Sequence, residues 1–361
     1  MSDQKIERFR KKILDWSEKN PRPLPWKGEK NPYLIWLSEI ILQQTRVEQG
    51  WTYYERFRTQ YPQVEKLAAA SGDEIMKQWE GLGYYSRARN MHTAAKYIKE
   101  ELAGIFPDTY AGIRSLKGVG PYTAAAIASF AYDLPYAVLD GNVFRVLARI
   151  YGIDTPIDST VGKRQFGELA QDLLDPKQAG RYNQAIMDFG AIHCTPRNPS
   201  CDNCPFRPDC QARQSGQVLN LPVKGKKIKK KTRYFHYLIL NFEGQLILQK
   251  REERDIWRNL YEFPMIESSE LHRSEAELVK SKLWQEMIGN CPFRLEAISP
   301  SFRQLLTHQK IIANFWEIQI EEAPENSDSF LIIERKNLRK FAFPKIIDLY
   351  LRDNSLYLKL L

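Results

Sequence analysis

Four of the five cysteines fall within seventeen residues, in the spacing Cys194-x6-Cys201-x2-Cys204-x5-Cys210, and this cluster constrains the fold more than any other feature. Five cysteines are too few to form a disulfide framework in a chain of 361 residues, so the cluster indicates a metal site in a reducing compartment. Four thiolates in such a span can hold a tetrahedral zinc ion or a cubane iron–sulfur cluster. Zinc ribbons usually contain two Cys-x2-Cys units, and only one is present here, so the spacing favours a [4Fe-4S] cluster over residues 194–210.

The first 220 residues have the pattern of a helical domain. From Ile6 to about Leu219, apolar residues recur at three- and four-residue intervals between Gly and Pro residues. Asn31 followed by Pro32 is a start signal, with Asn as the cap and Pro at the first helical position. We therefore predict an all-helical domain over 1–220, with one helix from Pro32 to about Gln49.

A change of composition divides the chain after this domain. The stretch Val223–Arg233 holds seven basic residues and no acidic one, which predicts an exposed linker over 221–233. Beyond it, two β-branched and aromatic runs flank Glu243-Gly244 and predict a hairpin, while Ile311–Ile320 predicts a further strand and 274–289 a helix. Residues 234–361 are therefore expected to form a small α+β domain.

The net charge and the hydrophobicity narrow the class of protein. The formal charge is +9, and residues 221–240 contribute +7 of it. This distribution predicts that the segment joins two domains and contacts a polyanion such as the phosphates of a nucleic acid. A hydrophobic fraction of 43% excludes wholesale disorder. Because no uncharged apolar run approaches the ~18 residues that span a bilayer, and no signal peptide is evident, we expect a cytoplasmic protein without a membrane partner.

The segment Gly118-Val119-Gly120-Pro121 is a tight turn that opens into an Ala-rich helix. Two glycines allow close backbone approach, and the helix start leaves N–H groups and a positive dipole end that suit a phosphate. An ordinary turn between packed helices explains the same residues equally well.

Two carboxylates have the surroundings of a catalytic pair. Glu39 shares its helix face with Ile35, Trp36 and Leu42, and such desolvation raises a carboxyl pKa and suits a general acid. An exposed glutamate at the edge of the apolar stripe is the alternative. Asp140 precedes the next amphipathic helix, where an Asp is by default a helix cap.

Together with these features, Ser38–Thr45, Gly81–Asn90 and Leu139–Val143 give the chain a resemblance to a known family. Over essentially its whole length it resembles the MutY family of adenine DNA glycosylases, within the endonuclease III helix-hairpin-helix superfamily. The resemblance implies a helix-hairpin-helix glycosylase domain with an iron–sulfur segment, followed by a Nudix-like domain that reads 8-oxoguanine. It also implies a monomer that binds duplex DNA with A·8-oxoguanine or A·G mispairs, in the nucleoid if the source is bacterial.

The resemblance also implies catalytic roles. Glu39 would protonate N7 of adenine, Asp140 would stabilise or capture the sugar cation, and Asn142 would position the sugar or a water. Members that cut the DNA backbone carry a Schiff-base lysine at position 122, and Tyr122 cannot form an imine, so a monofunctional glycosylase is expected.

Further roles follow from matching positions. Residues of an adenine pocket would be Arg22, Leu24, Trp26 and Gln184, although Pro23 and Lys27 depart from the family's usual Arg-x-Leu-Pro-Trp-Arg. Residues that contact DNA would be Gln44 and Tyr84 as wedges, Gly118, Val119 and Gly120 in the hairpin, and Leu306, Thr307 and His308 at 8-oxoguanine, where the family commonly has Phe-Ser-His. A buried core tyrosine and an ordinary surface histidine are the alternatives for Tyr84 and His308.

Three other functions compete with adenine excision. An endonuclease III-like enzyme for oxidised pyrimidines is disfavoured by Tyr122 and by the extra C-terminal domain. Diphosphate hydrolysis needs a Gly followed by an Arg-Glu and Glu-Glu cluster, an order that Leu271–Leu278 lacks, so the second domain is predicted to bind rather than hydrolyse. A non-catalytic helix-hairpin-helix DNA-binding protein would not need Glu39 and Asp140.

Overall fold

The computed structural model describes residues 2–225, 229–272, 274–289, 291–322 and 330–353. The chain separates into two compact units: a helical unit, Met1–Ala69 with Asn90–Lys227, and a sheet unit, Ala70–Arg89 with Ile228–Leu361. Three residues of the predicted linker, 226–228, lie outside the described residues. So do 323–329 and 354–361 of the predicted second domain, and the single positions 1, 273 and 290.

Helices account for most of the chain up to the predicted linker. In chain order they are α1 Asp3–Lys19, α2 Pro32–Leu42, α3 Val47–Gln60, α4 Val64–Ala69, α5 Gly72–Gln78, α6 Ser86–Glu101, α7 Tyr110–Ser115, α8 Pro121–Tyr132, α9 Gly141–Tyr151, α10 Thr160–Leu173, α11 Ala179–Asp188 and α12 Gln211–Gln214, with a π-helix, Phe189–His193, after α11. Among the described residues, no helix has both the length and the apolar character of a membrane span.

Strands dominate the remainder. They are β1 Lys231–Phe242, β2 Gln245–Lys250, β3 Tyr261–Glu262, β4 Met265–Ser268, β5 Phe293–Ile298, β6 Phe302–Leu305, β7 Gln309–Ile320 and β8 Leu331–Glu334, with helices α13 Glu275–Val279, α14 Lys282–Met287 and α15 Lys345–Asp353 and a 3₁₀ helix, Arg335–Lys340.

Helix α2 begins as predicted and ends earlier. The Asn31 side chain accepts a hydrogen bond from the backbone N–H of Tyr33, and Pro32 occupies the first helical position. The predicted end at Gln49 is wrong, because the helix stops at Leu42 and a new helix starts at Val47. Gln44 has φ of 56°, a left-handed conformation that a right-handed helix cannot pass through.

Helix α9 is held by its two ends and by one apolar face. The Asp140 side chain accepts hydrogen bonds from the N–H groups of Asn142 and Val143, and Gly152 ends the helix with φ of 64°. Val143, Val146 and other apolar residues of this face are buried in the core of the helical unit. Burial of this face fixes the direction in which the N-terminal end of α9, with Asp140, points.

In the described part of the sheet unit, the strands form an eight-stranded mixed sheet. Its main path runs β3-β2-β1-β7-β5, while β4 pairs with β1, β6 with β7 and β8 with β2. The predicted hairpin is confirmed: β1 and β2 are antiparallel and joined at Glu243-Gly244, both with positive φ as a tight hairpin turn requires. The predicted strand at 311–320 is β7, which pairs in parallel with β1.

The single helix predicted over 274–289 is wrong. Ser274 and Glu277 form a reciprocal capping box that starts α13, and this helix ends after Val279. The Ser281 hydroxyl then accepts from the N–H of Trp284 and starts α14. A second cap inside the apolar pattern therefore divides one predicted helix into two.

Both ends of the predicted linker, 221–233, belong to folded structure. Val223 accepts a hydrogen bond from the N–H of Ile157, and Leu221 is buried in the helical unit. At the other side β1 already begins at Lys231. Arg233 in this strand forms ion pairs with Asp255 and Glu267 and therefore is not an exposed linker residue.

Candidate active site and nucleic-acid interface

Glu39 is a buried carboxyl group on α2. The residue is only 7% exposed, which excludes the alternative of an exposed edge position. Burial raises the pKa of Glu39 to about 7, while a hydrogen bond from the Tyr122 hydroxyl lowers it and the charge of Asp140 raises it. A carboxyl with this pKa is protonated in a large fraction of molecules near neutral pH and can act as an acid.

Asp140 is the second carboxyl group of the site, and its environment differs. Burial raises its pKa, but three hydrogen bonds favour the ionised form. They are donated by the backbone N–H groups of Asn142 and Val143, at 2.9 and 2.8 Å, and by the Asn142 side-chain amide, at 2.7 Å. The residue is thus a helix cap, as its position in the sequence predicts, and its carboxyl group lies at a helix N-terminus, where the helix dipole favours the charged form.

Tyr122 hydrogen-bonds one of the two carboxyl groups and is close enough to feel the charge of the other. It lies at the second position of α8, and its hydroxyl donates a hydrogen bond to Glu39. Burial first, and the charges of Glu39 and Asp140 after it, raise the pKa of Tyr122 well above the ordinary value. The phenol therefore stays protonated and remains a hydrogen-bond donor.

A cavity of about 380 Å³ opens beside Glu39. Two of the four predicted pocket residues, Trp26 and Gln184, line it, and so does Lys27. The other two, Arg22 and Leu24, are not among the lining residues. Trp26 is held edge-on by Tyr54 at a ring distance of 5.6 Å.

Asp188, which our sequence reasoning missed, accepts hydrogen bonds from three side chains around this cavity. Its Oδ1 is 3.3 Å from an Arg22 nitrogen and 3.1 Å from Gln184 Nε2, and its Oδ2 is 2.9 Å from Lys27 Nζ. The carboxylate is 1% exposed. The only local signal was its position four residues after Gln184 on one helix.

The predicted hairpin is a turn between α7 and α8. Gly118 has φ of 83°, and a Cβ there would lie 2.7 Å from Cβ of Asn90, so the position requires glycine. Gly120 is the N-cap of α8 and has no side chain that could accept a hydrogen bond from the first N–H groups of the helix. Val119 is 2% exposed, and its N–H donates to the Leu116 carbonyl at 3.0 Å. Its amide is therefore already used inside the turn.

Gln44 and Tyr84, the two predicted wedge residues, are both exposed and both in the left-handed region, with φ of 56° and 45°. Tyr84 is 45% exposed, so it is not the buried core tyrosine that was the alternative. A bulky residue with positive φ carries backbone strain, which is common at functional positions.

Residues Leu306, Thr307 and His308 form the turn between β6 and β7 of the sheet unit. The Leu306 N–H donates to the Gln309 carbonyl at 2.8 Å. Thr307 and His308 are exposed, and the Thr307 hydroxyl is 2.5 Å from that of Tyr84. All four residues line a cavity of about 520 Å³ within the sheet unit.

The four clustered cysteines are free and half-buried. Burial, and after it the neighbouring Cys194, Cys210 and Cys201, raise the pKa of Cys204 to about 11. Four half-buried thiols whose charges affect one another are the type of donor that a cationic centre would convert to thiolates. Within the described ranges, no three or more His, Cys, Asp or Glu side chains are arranged to hold a single metal ion.

Two arginines of α9 join this segment to the helix that carries Asp140. Arg145 donates to the Asn142 side chain at 2.8 Å and to the Cys194 carbonyl at 2.7 Å. Arg149 donates to the Thr195 carbonyl at 2.7 Å and lies 3.4 Å from the Cys194 sulfur. The cysteine segment therefore buttresses α9.

Comparisons with known proteins agree with this architecture. Residues 37–171 match the HhH-GPD superfamily of base excision DNA repair proteins, and residues 236–353 match the NUDIX domain. The adenine DNA glycosylase of Buchnera aphidicola subsp. Baizongia pistaciae is 38% identical over 259 residues, which cover 71% of this chain and 73% of that protein. That of Mus musculus is 31% identical over 377 aligned positions, which cover 89% of this chain and 72% of that protein.

A solved structure of a thermostable thymine-DNA glycosylase is similar with a TM-score of 0.55 and 28% identity, over 59% of this chain and 98% of that chain. The fold and the two family matches define a base excision repair protein of the HhH-GPD superfamily with a NUDIX domain, which confirms the predicted fold class apart from its iron–sulfur segment. The identity to the two curated relatives goes further: the chain belongs to the adenine DNA glycosylase family.

Proposed function

We propose that this enzyme removes adenine from A·8-oxoguanine and A·G mispairs in duplex DNA by hydrolysis of the N-glycosidic bond, acts as a monomer and leaves the strand uncut. The observation that carries the proposal is the pair Glu39 and Asp140. One carboxyl is buried with a pKa raised to about 7, and the other is held by three hydrogen bonds at a helix N-terminus. Acid-assisted cleavage of a glycosidic bond needs two carboxyl groups in unlike environments, one that can donate a proton and one whose ionised form is favoured by hydrogen bonds.

In the first step, Glu39 transfers its proton to N7 of an adenine that has been turned out of the duplex. The protonated base leaves with both electrons of the bond to C1′, and the sugar becomes a cation. Extrusion from the stack costs a few kcal/mol and is easier at a mispair. The support for this role is that Glu39 lines a cavity beside Trp26 and Gln184.

In the second step, Asp140 stabilises the sugar cation, by charge or by a transient covalent bond. Water adds at C1′, and its proton goes to the Glu39 carboxylate that the first step leaves. Asn142, whose amide donates to Asp140 at 2.7 Å, orients the carboxylate and contacts the sugar or the water. Tyr122 donates to Glu39 and has no amine to trap the sugar as an imine, so no strand cleavage follows.

Adenine binds in the cavity of Glu39, with Trp26 and Gln184 as its direct contacts. Arg22 acts from outside the cavity through Asp188, and Leu24 belongs to the same loop. The support is the chemistry of the lining, since an indole stacks on a purine and an amide reads its edge.

DNA is held by Gln44 and Tyr84 as wedges and by the turn Gly118-Val119-Gly120 at a phosphate. Two exposed residues with positive φ and one uncapped helix start support these roles.

The orphan base, 8-oxoguanine, is read by the turn Leu306-Thr307-His308. Its exposed hydroxyl and imidazole supply hydrogen bonds, and Leu306 supplies an apolar contact without ring stacking.

Cys194, Cys201, Cys204 and Cys210 hold a [4Fe-4S] cluster. When bound, such a cluster ties the four thiolates together and can exchange electrons. The spacing and the half-buried free thiols support the assignment. Purified protein should be brown and contain iron with acid-labile sulfide, whereas a colourless zinc protein would contradict the assignment.

The proposed function is tested with four duplexes that carry A·8-oxoguanine, A·G, A·T or thymine glycol. We expect release of adenine from the first two only, a strand break only after alkali, and no release by Glu39→Gln. Cleavage of the thymine glycol duplex without alkali would favour an endonuclease III-like enzyme. Binding without release of any base would favour a non-catalytic DNA-binding protein.

A further inference from the structure

Asp188 is a buried carboxylate outside the proposed catalytic pair, and its contacts give it a function at the base. It is the last residue of α11, directly before the π-helix Phe189–His193. Three donors from two separate segments converge on its two oxygens, at 2.9 to 3.3 Å. A buried carboxylate with such partners is a rigid anchor, because its rotation would break several hydrogen bonds at once, and its removal would leave all three donors without this acceptor.

The contact with Gln184 determines how that side chain faces the cavity. Carboxylate oxygens only accept hydrogen bonds, so the group of Gln184 that lies 3.1 Å from Asp188 is its NH₂ group, Nε2. Among the described residues, no donor is bonded to the opposite atom, Oε1. With Nε2 tied to Asp188, the side chain of Gln184 offers the cavity a hydrogen-bond acceptor and not a donor.

We propose that Asp188 is a positioning residue that orients the Gln184 amide and so makes the pocket select a 6-amino purine over a 6-keto purine. Adenine presents an amino group at C6, which donates to Gln184 Oε1. A 6-keto base such as hypoxanthine presents an oxygen there, and two facing acceptors repel each other. A pocket built to hydrogen-bond one group rejects an analogue without it far more strongly than an apolar pocket does.

Lys27 and Arg22 complete the arrangement. Their cationic groups lie on Oδ2 and Oδ1 of Asp188, at 2.9 and 3.3 Å. They hold the carboxylate in place, so that it does not turn away from Gln184. This inference rests on the proposed function, because it names the property by which the same pocket recognises its base.

The test compares single-turnover excision of adenine and of hypoxanthine, each opposite 8-oxoguanine. Asp188→Asn preserves the volume but adds an NH₂ group that can donate to Gln184 Oε1, so the Gln184 amide can turn over. We expect the adenine-to-hypoxanthine ratio of rates to fall by about tenfold or more. The matched control is Asp172→Asn, an exposed acid on α10, which should leave the ratio unchanged.

A second variant separates positioning from a general structural effect. Gln184→Leu should lower the same ratio, and Asp188→Asn should have no further effect on the ratio in the Gln184→Leu background. A purely structural role of Asp188 would instead lower both rates and leave the ratio as it was. If Gln184→Leu does not change the ratio, the proposal is overturned even when Asp188→Asn fails to fold.

The two levels of the proposal fail differently. If the wild-type enzyme releases adenine and Asp188→Asn has the same adenine-to-hypoxanthine ratio of rates as the wild type, only the role of Asp188 is overturned. Wild-type enzyme that releases no adenine overturns the proposed function itself.

Discussion

Replacement of Glu39 by glutamine should change both the chemistry and the pH dependence of stability. The buried carboxyl has its pKa raised from 4.5 to about 7. The folded protein therefore binds this proton more tightly than the unfolded chain does. Between those two pH values folding takes up a proton, so wild-type stability falls as the pH rises.

The magnitude follows from the size of the shift. A pKa raised from 4.5 to about 7 corresponds, at about 1.36 kcal/mol for each pKa unit, to a free-energy difference of about 3 kcal/mol. Relative to Glu39→Gln, the wild type should lose this free energy of unfolding between pH 4.5 and about 7, with no further change above or below that window. The hydrogen bond from Tyr122 remains possible to the glutamine oxygen, so the comparison isolates the ionisable group.

Two assays measure the effect. Equilibrium urea unfolding of both proteins, from about pH 4 to about pH 8, gives the difference in free energy. Single-turnover excision should fall about tenfold per pH unit above pH 7 in the wild type and be abolished in Glu39→Gln. Glu48→Gln, at an exposed site on α3, is the control and should keep the wild-type rate profile. A stability difference that does not vary with pH, or activity retained in Glu39→Gln, would refute the reasoning.

Three further changes test other parts of the site. Tyr122→Lys places an amine beside Glu39 and should introduce weak strand nicking, which borohydride trapping checks. Failure to trap an adduct would contradict the claim that residue 122 lies within reach of the sugar. Replacement of both Thr307 and His308 by Ala should reduce the preference for A·8-oxoguanine over A·G in excision assays, and an unchanged preference removes their role. Gly118→Ala, with φ of 83°, should lower stability by about 1–2 kcal/mol in thermal unfolding, whereas Gly167→Ala, with open space at its Cβ, should not; equal melting temperatures contradict this account.

Local signals were sufficient for much of the fold. The start of α2 could be predicted because Asn31 and Pro32 act on the backbone next to them. The hairpin at Glu243-Gly244 and the cap at Asp140 have the same basis, since turns and caps depend on two or three neighbouring residues.

The misses have a different origin. The end of α2 depends on Gln44 in a left-handed conformation, which no Gly, Asn or Pro announces. The break at Ser281 lies inside an apolar pattern that continues on both sides of it. The association of Ala70–Arg89 with the C-terminal part of the chain depends on contacts between residues far apart in sequence, which periodicity does not report.

The site divides in the same way. Burial of Glu39 could be inferred from its helix neighbours, because they share one apolar face. Its hydrogen bond from Tyr122 and its coupling to Asp140 require three helices to meet. Of the three donors around Asp188, Gln184 is on the same helix, whereas Arg22 and Lys27 precede Asp188 by 166 and 161 residues. Only the folded structure brings these two next to Asp188.

The most direct test of the central claim is product analysis of one reaction with an A·8-oxoguanine duplex. Mass spectrometry should detect free adenine and a full-length strand that carries an abasic site, in equal amounts, before any alkali treatment. The same reaction with Glu39→Gln should contain neither product. Release of a different base, or a cleaved strand without alkali, would contradict the account.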